Sequence, residues 1–151
     1  MTPPAEPPAP ELRKVAEYRV VFADCDPMRI VYYGNYFRMF EIGRAELFRQ
    51  LGHAFPGYIE RGLYLAVLAT ACRYHRPARY DDIVSIHAGI ATVGRARLEI
   101  RYELKATDGT LLVSGHTEHA ILDEAGRPQR MPPEIRSAAS HHGGTEDTET
   151  A

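Results

Sequence analysis

The sequence predicts an α+β domain in which one long helix covers one face of a five-stranded antiparallel sheet. Three observations carry this. Apolar residues at helical spacing occur in a single long run, between about Tyr33 and Leu51. The four later apolar segments alternate or run continuously as strands do, and an Asp-Gly pair joins two of them. The order strand, helix, strands lacks the strand–helix–strand alternation of a parallel sheet.

Arg13 to Phe22 alternates around Val15, Tyr18, Val20 and Phe22 and reads as the first strand. The helix follows. Tyr36, Phe40, Gly43, Leu47 and Leu51 share one face, which Phe37 and Phe48 widen. Gly43 costs helix stability but permits close approach to a sheet, and Gly52 is a stop signal. A loop is expected around Pro56 and Gly57. An apolar run from Leu63 to Ala69 continues as a strand through Cys72 and Tyr74 to Pro77. Ile83 to Val93 places Val84, Ile86, Ala88 and Ile90 on one side. Ala96 to Ala106 alternates apolar residues with Arg97, Glu99, Arg101, Glu103 and Lys105, so one face is buried and the other wet. Asp108-Gly109 then turns the chain into Thr110–Leu122, and Pro132-Pro133-Glu134 opens a short final helix.

The 151 residues are 44% hydrophobic, enough for one domain with its own core. Residues 1–12 are proline-rich and residues 140–151 polar without periodicity, so both are expected to be disordered around a domain at 13–139. A net charge of −2 gives no general attraction to nucleic acid or membrane. No apolar run has membrane-spanning length and no signal peptide is visible. With two cysteines, a reduced cytoplasmic protein is expected. Arginine outnumbers lysine sixteen to two, to which no functional weight is given.

The chemistry concentrates in DCDPMR, Asp24 to Arg29. Asp24 and Asp26 are two apart, so in an extended segment both side chains leave on one side. Paired carboxylates, one partly desolvated, would raise one pKa toward the range useful for a base. On residue types alone, a solvated turn before a helix is the commoner explanation. A helix starting near Tyr33, Gly34 or Asn35 offers free amides to a polarised carbonyl, as every helix mouth does. Cys25 lies between two acids that disfavour its thiolate and reads as structural, and Cys72 reads as core. His116 and His119 are three apart on a strand, point to opposite faces and cannot easily share a metal; His141 and His142 fall in the tail. Neither a metal nor a cofactor is expected. Arg95 and Arg97 beside Gly94 are the kind of turn arginines that grip phosphate, though solvated charge is commoner.

Phe22 to Gly52 resembles the signature of the 4-hydroxybenzoyl-CoA thioesterase family, a branch of the hotdog-fold acyl-CoA thioesterases. The matching residues are Phe22, Asp24 and Asp26, Pro27, Ile30 to Tyr33, Asn35-Tyr36, and Glu41 with Arg44. RYHRPARYDDIV (Arg73–Val84) and TEHAILDEAGRPQRMP (Thr117–Pro132) extend the likeness to roughly residues 16–137. The resemblance implies a hotdog fold, a homodimer or homotetramer, and sites at the subunit interface. It implies hydrolysis of an acyl-CoA or acyl-carrier-protein thioester. Asp26 would be nucleophile or general base, and the amides near Tyr33 and Gly34 would polarise the thioester carbonyl. Asn35 and Tyr36 belong to the same motif and are expected at the substrate, with Tyr33 and its aromatic neighbours lining the acyl pocket. Arg95 would hold the nucleotide phosphates of coenzyme A; Arg97 is added by proximity. One departure stands out. Arg29 occupies a position where the family usually has glycine, which implies either a different backbone or a cation near the acyl pocket. That cation could pair with Asp24 or Asp26, or bind an acidic acyl group. Arg29 also keeps open a non-hydrolytic protein that binds thioesters or a protein partner. A dehydratase of this fold needs a histidine near the helix, and His53 lies beyond the helix end.

Overall fold

The computed structural model describes residues 11–142. Five strands form one antiparallel sheet: β1 (Arg13–Arg19), β2 (Tyr64–Tyr74), β3 (Ile83–Val93), β4 (Arg97–Lys105) and β5 (Leu111–Leu122). Their order is β1-β3-β4-β5-β2, which leaves β1 and β2 at the edges. Among the described residues, two single 3-10 turns (Phe22–Asp24 and Tyr33–Asn35) and three α-helices complete the fold: α1 (Tyr36–Gln50), α2 (Phe55–Glu60) and α3 (Pro133–His142). The expected architecture of one long helix on a five-stranded antiparallel sheet is the one found.

α1 lies on the inner sheet face because its apolar stripe has nowhere else to be buried. Tyr36, Phe40, Gly43, Leu47 and Phe48 are buried as the spacing predicts, and Met39 joins them; Leu51 and Phe37 are only partly covered. Phe40 stacks on Tyr102 of β4 with ring centroids 4.3 Å apart. Gly43 marks the closest approach: a Cβ there would lie 2.7 Å from Ile86 Cγ2 of β3. The β4–β5 turn forms at Asp108-Gly109 as predicted. Gly109 adopts φ 90°, and Asp108 Oδ1 accepts the Thr110 amide at 2.9 Å.

Several boundaries differ from the sequence reading; β2, for one, ends at Tyr74 rather than Pro77. β1 ends at Arg19 rather than Phe22, because Val20–Asp24 is drawn into a turn by the Asp24 side chain. The loop expected near Pro56 is helix α2, in which proline sits in the first turn and has no intrahelical N–H to lose. α3 runs to His142, so helix continues three residues past the expected domain end. The rest of the two expected disordered ends, residues 1–10 and 143–151, falls outside the described residues. Among the described residues no helix is long and apolar enough to cross a membrane.

Candidate active site

Two neighbouring carboxylates have opposite fates. Asp24 is 1% exposed and fully engaged. Its Oδ2 accepts the Tyr18 hydroxyl at 2.7 Å and the Val21 amide at 2.9 Å, and its Oδ1 pairs with Arg38 of α1. Arg38 also donates to the Tyr18 hydroxyl at 2.9 Å and lies 5.2 Å from the Tyr18 ring centroid. This cluster ties β1 to α1 and leaves Asp24 no capacity for a substrate. The expected pair of carboxylates sharing one side does not form, because the single turn at Phe22–Asp24 rotates Asp24 inward.

Asp26 lies beyond that turn, partly buried, at the tip of a short hairpin in which Cys25 pairs with Val31. Its carbonyl accepts the Arg29 amide at 2.8 Å and its amide donates to Ile30 at 2.9 Å, closing the loop over Pro27 and Met28. Oδ1 accepts the Met28 amide at 2.8 Å, which fixes the carboxylate's direction. Among the described residues nothing donates to Oδ2. One oxygen orients the group and the other is available.

Arg29 holds the fifth position of this loop with φ 67°, the left-handed conformation that glycine adopts freely. The backbone expected for glycine is therefore kept, and the alternative of a different backbone is not realised. Nor does Arg29 pair with an acid: Asp24 is taken by Arg38, and Arg29 is exposed without an ion pair among the described residues.

The loop is joined to the helix mouth through one carbonyl. Asp24 O accepts both the Tyr32 amide and the Asn35 side-chain amide, each at 2.8 Å. Asn35 N–H closes a single 3-10 turn onto Tyr32 O at 2.9 Å, and this turn runs directly into α1. The amides of Tyr33 and Gly34, first in that turn, have no acceptor among the described residues. Asn35 is thus placed as a strut of the loop. Tyr36 is 3% exposed, and its hydroxyl accepts the Ala78 amide at 3.1 Å, so it too faces the scaffold. Tyr33 stands at the surface with Tyr32 and Tyr74, its ring 4.4 Å from that of Tyr32.

Cys25 shares the loop but is unsuited to attack. Burial first, and then the charges of Asp24, Asp26 and Asp82, raise its thiol pKa. Cys72 is half-buried rather than fully in the core. The two HTEH histidines do point to opposite faces. His116 lies 3.8 Å from Glu118 at the surface, whereas His119 is fully buried. Its Nε2 is 2.7 Å from Thr117 Oγ1, itself 2.7 Å from the Tyr102 hydroxyl. Burial, then the nearby Arg44 charge, lowers its pKa to about 4. No group of three or more metal-ligating side chains occurs among the described residues.

Away from the acid loop, Arg95 lines a groove of about 750 Å³ between the β3–β4 turn and α3. Arg61, Arg130 and Arg136 line it as well. Arg61 pairs with Glu134 at 2.6 Å, and Arg136 donates to Gly94 O at 2.8 Å. Arg95 and Arg130 have no ion pair among the described residues. Arg97 is exposed on β4 outside this groove. The groove meets an apolar cavity of about 300 Å³ at Leu63 and Pro132. Phe48, Phe55, Tyr58, Leu65 and Ile135 line that cavity. The Tyr58 hydroxyl lies near Glu134 without a well-formed hydrogen bond among the described residues, and burial pushes its pKa up to about 12. Sequence reasoning missed Arg61, Arg130 and Arg136 because they come from three separate segments with no shared spacing. Arg38 and Tyr18 escaped it for the same reason.

The model of the thioesterase superfamily matches residues 28–113. The chain belongs to that superfamily. It is 29% identical over 127 residues to the acyl-CoA thioesterase YbgC of Haemophilus influenzae, covering 82% of this chain and 91% of that one. It is 25% identical over 115 residues to the acyl-CoA thioester hydrolase YbgC of Escherichia coli, covering 76% and 83%. Among solved structures it resembles the DHNA-CoA thioesterase of Staphylococcus aureus with a TM-score of 0.79 and 25% identity, covering 83% of this chain and 87% of that one. The sheet order and the central helix are those of the hotdog fold, shared with the solved thioesterase structure it resembles.

Proposed function

We propose that this superfamily member hydrolyses acyl-CoA thioesters with Asp26 as the catalytic carboxylate, and that it belongs to the 4-hydroxybenzoyl-CoA thioesterase branch. The observation that carries the reading is the joint between loop and helix. Through Asp24 O, the loop of Asp26 is joined to the helix mouth, and one Asp26 oxygen and the two amides have no partner among the described residues. The thioester carbonyl sits over the Tyr33 and Gly34 amides, which stabilise the charge that develops on its oxygen. By one route Asp26 takes a proton from water, hydroxide adds to the carbonyl carbon, and the C–S bond breaks as the thiolate recovers that proton. By the other, Asp26 adds directly, expels the thiolate, and water cleaves the resulting anhydride.

The arginine groove supports a coenzyme A substrate. Arg95 and Arg130 present two cations without ion-pair partners, the arrangement that suits phosphate groups. An acyl-carrier-protein substrate has no such feature in its favour. The edge strand β2 supports a homodimer, with a homotetramer as the larger option. It is eleven residues long, has an unpaired backbone edge, and leaves Val67 and Leu68 about half exposed. Antiparallel pairing with its own copy sets the Tyr74 end, at the helix mouth, beside the partner's Tyr64 end. The apolar cavity lined by Tyr58 and Leu65 lies at that end and is sized for a compact acyl group.

Thiol release from a panel of aryl- and aliphatic-CoA esters tests the reading. Wild-type protein turns over at least one ester, and Asp26→Asn lowers kcat about 1,000-fold while leaving Tm unchanged. Equal activity of the two proteins removes Asp26 from the mechanism. Saturable ester binding without thiol release would instead favour the non-hydrolytic binder.

A further inference from the structure

Tyr74 is the last residue of β2, yet its hydroxyl leaves the sheet and donates to the carbonyl oxygen of Tyr33 at 3.1 Å. That carbonyl belongs to the same peptide unit as the Gly34 amide. The unit is planar and trans, so its C=O and N–H point in opposite directions. Holding the carbonyl from one side therefore aims the N–H to the other side, where it has no acceptor of its own among the described residues. A hydrogen bond accepted by an amide carbonyl also polarises that amide and makes its N–H a stronger donor.

We propose that Tyr74 is a positioning residue for the Gly34 amide, fixing and strengthening it as the donor to the thioester carbonyl. The proposal rests on the thioesterase reading and adds a residue to it. Other geometry agrees. The strand end that carries Tyr74 is anchored, because the His75 and Arg76 amides both donate to Leu112 O, at 2.8 and 3.1 Å. The ring is wedged against two neighbours, 6.4 Å from Tyr33 edge-on and 5.7 Å from Tyr36. Burial, and then neighbouring Cys72, push the Tyr74 pKa up to about 12, so the hydroxyl keeps its proton throughout the working pH range. Asn35 and Tyr32 fix the turn through Asp24 O, but neither hydrogen-bonds the carbonyl of the Tyr33–Gly34 peptide group. Tyr74 alone among these residues does.

The test is Tyr74→Phe, which keeps the ring contacts and removes only the hydroxyl. Hydrolysis kinetics are read on the best ester of the panel, with Tm and the Gly34 amide proton resonance in glycine-labelled protein. The expected result is a fivefold to tenfold fall in kcat (roughly, scaled from the loss of a whole donor). KM stays within about twofold, Tm within about 2 °C, and the Gly34 proton moves upfield. A hydroxyl with only a packing role would leave kcat and that resonance in place. An active wild type with an unaltered Tyr74→Phe kcat, or an unmoved Gly34 signal, overturns the proposal alone. A wild type that releases no thiol from any ester overturns the thioesterase reading, and this inference with it.

Discussion

The acid loop with its helix mouth and the arginine groove are built on opposite plans. The first is held by short, saturated hydrogen bonds. Asp24 takes three donors on its carboxylate and two more on its carbonyl, so that Asp26 and the amides of Tyr33 and Gly34 are left with little freedom. The second is a surface of long side chains, two of them without a fixed partner, gathered from the β3–β4 turn and the approach to α3. On the proposed reading, geometry matters in one and charge in the other. A reacting carbonyl must be met within a fraction of an ångström, whereas a phosphate is attracted from many directions.

That contrast predicts effects of different kinds and sizes. The largest is expected at Asp24. Asp24→Asn takes the charge from a buried carboxylate that accepts from Tyr18, Val21 and the half-exposed Arg38, and costs on the order of 3 kcal/mol, seen as a lower urea midpoint. If Asp24→Asn instead matched Asp26→Asn, with full stability and lost turnover, the roles assigned to the two acids would be reversed. Next comes pH. His119 is buried under α1, and its folded pKa is about 4 against an ordinary 6.5. As pH falls, the unfolded chain takes up this proton first. Stability is therefore fully present above about pH 6.5 and declines toward pH 4, by on the order of 3 kcal/mol. Urea titrations at several pH values should show the slope, and His119→Leu should flatten it.

Effects in the groove are smaller and salt-dependent. Arg95→Ala with Arg130→Ala should raise KM for coenzyme A esters about tenfold, leave kcat unchanged, and do nothing to a truncated pantetheine ester. A drop in kcat would mean that the groove also shapes the reacting centre. Smallest of all, Arg29→Gly should stabilise by about 1 kcal/mol or less, because glycine accepts the left-handed loop position without strain. A gain in stability with a changed ester preference would show that the arginine is kept for its side chain.

Much of the fold was legible because it follows from periodicity. The helix face of Tyr36, Phe40, Gly43 and Leu47, the alternation from Leu98 to Leu104, and the turn at Asp108-Gly109 are all local patterns, and each forms where it was expected. The motif that singled out Asp26 is local too. Its neighbour could not be judged this way: whether Asp24 meets solvent or Arg38, fourteen residues away in sequence, depends on how β1 packs on α1.

By itself, then, the sequence determined the element order, the buried helix stripe and the loop that carries Asp26, since each depends on residues within about one turn of one another. Only the tertiary structure decided the rest. It sent Asp24 to the core, left one carboxylate oxygen of Asp26 available, and kept a glycine-like backbone at Arg29. It collected Arg61, Arg95, Arg130 and Arg136 into one groove, and brought Tyr74 onto the Tyr33 carbonyl from forty-one residues away. Such contacts are set by how the sheet curls around the helix, and no spacing along the chain records that.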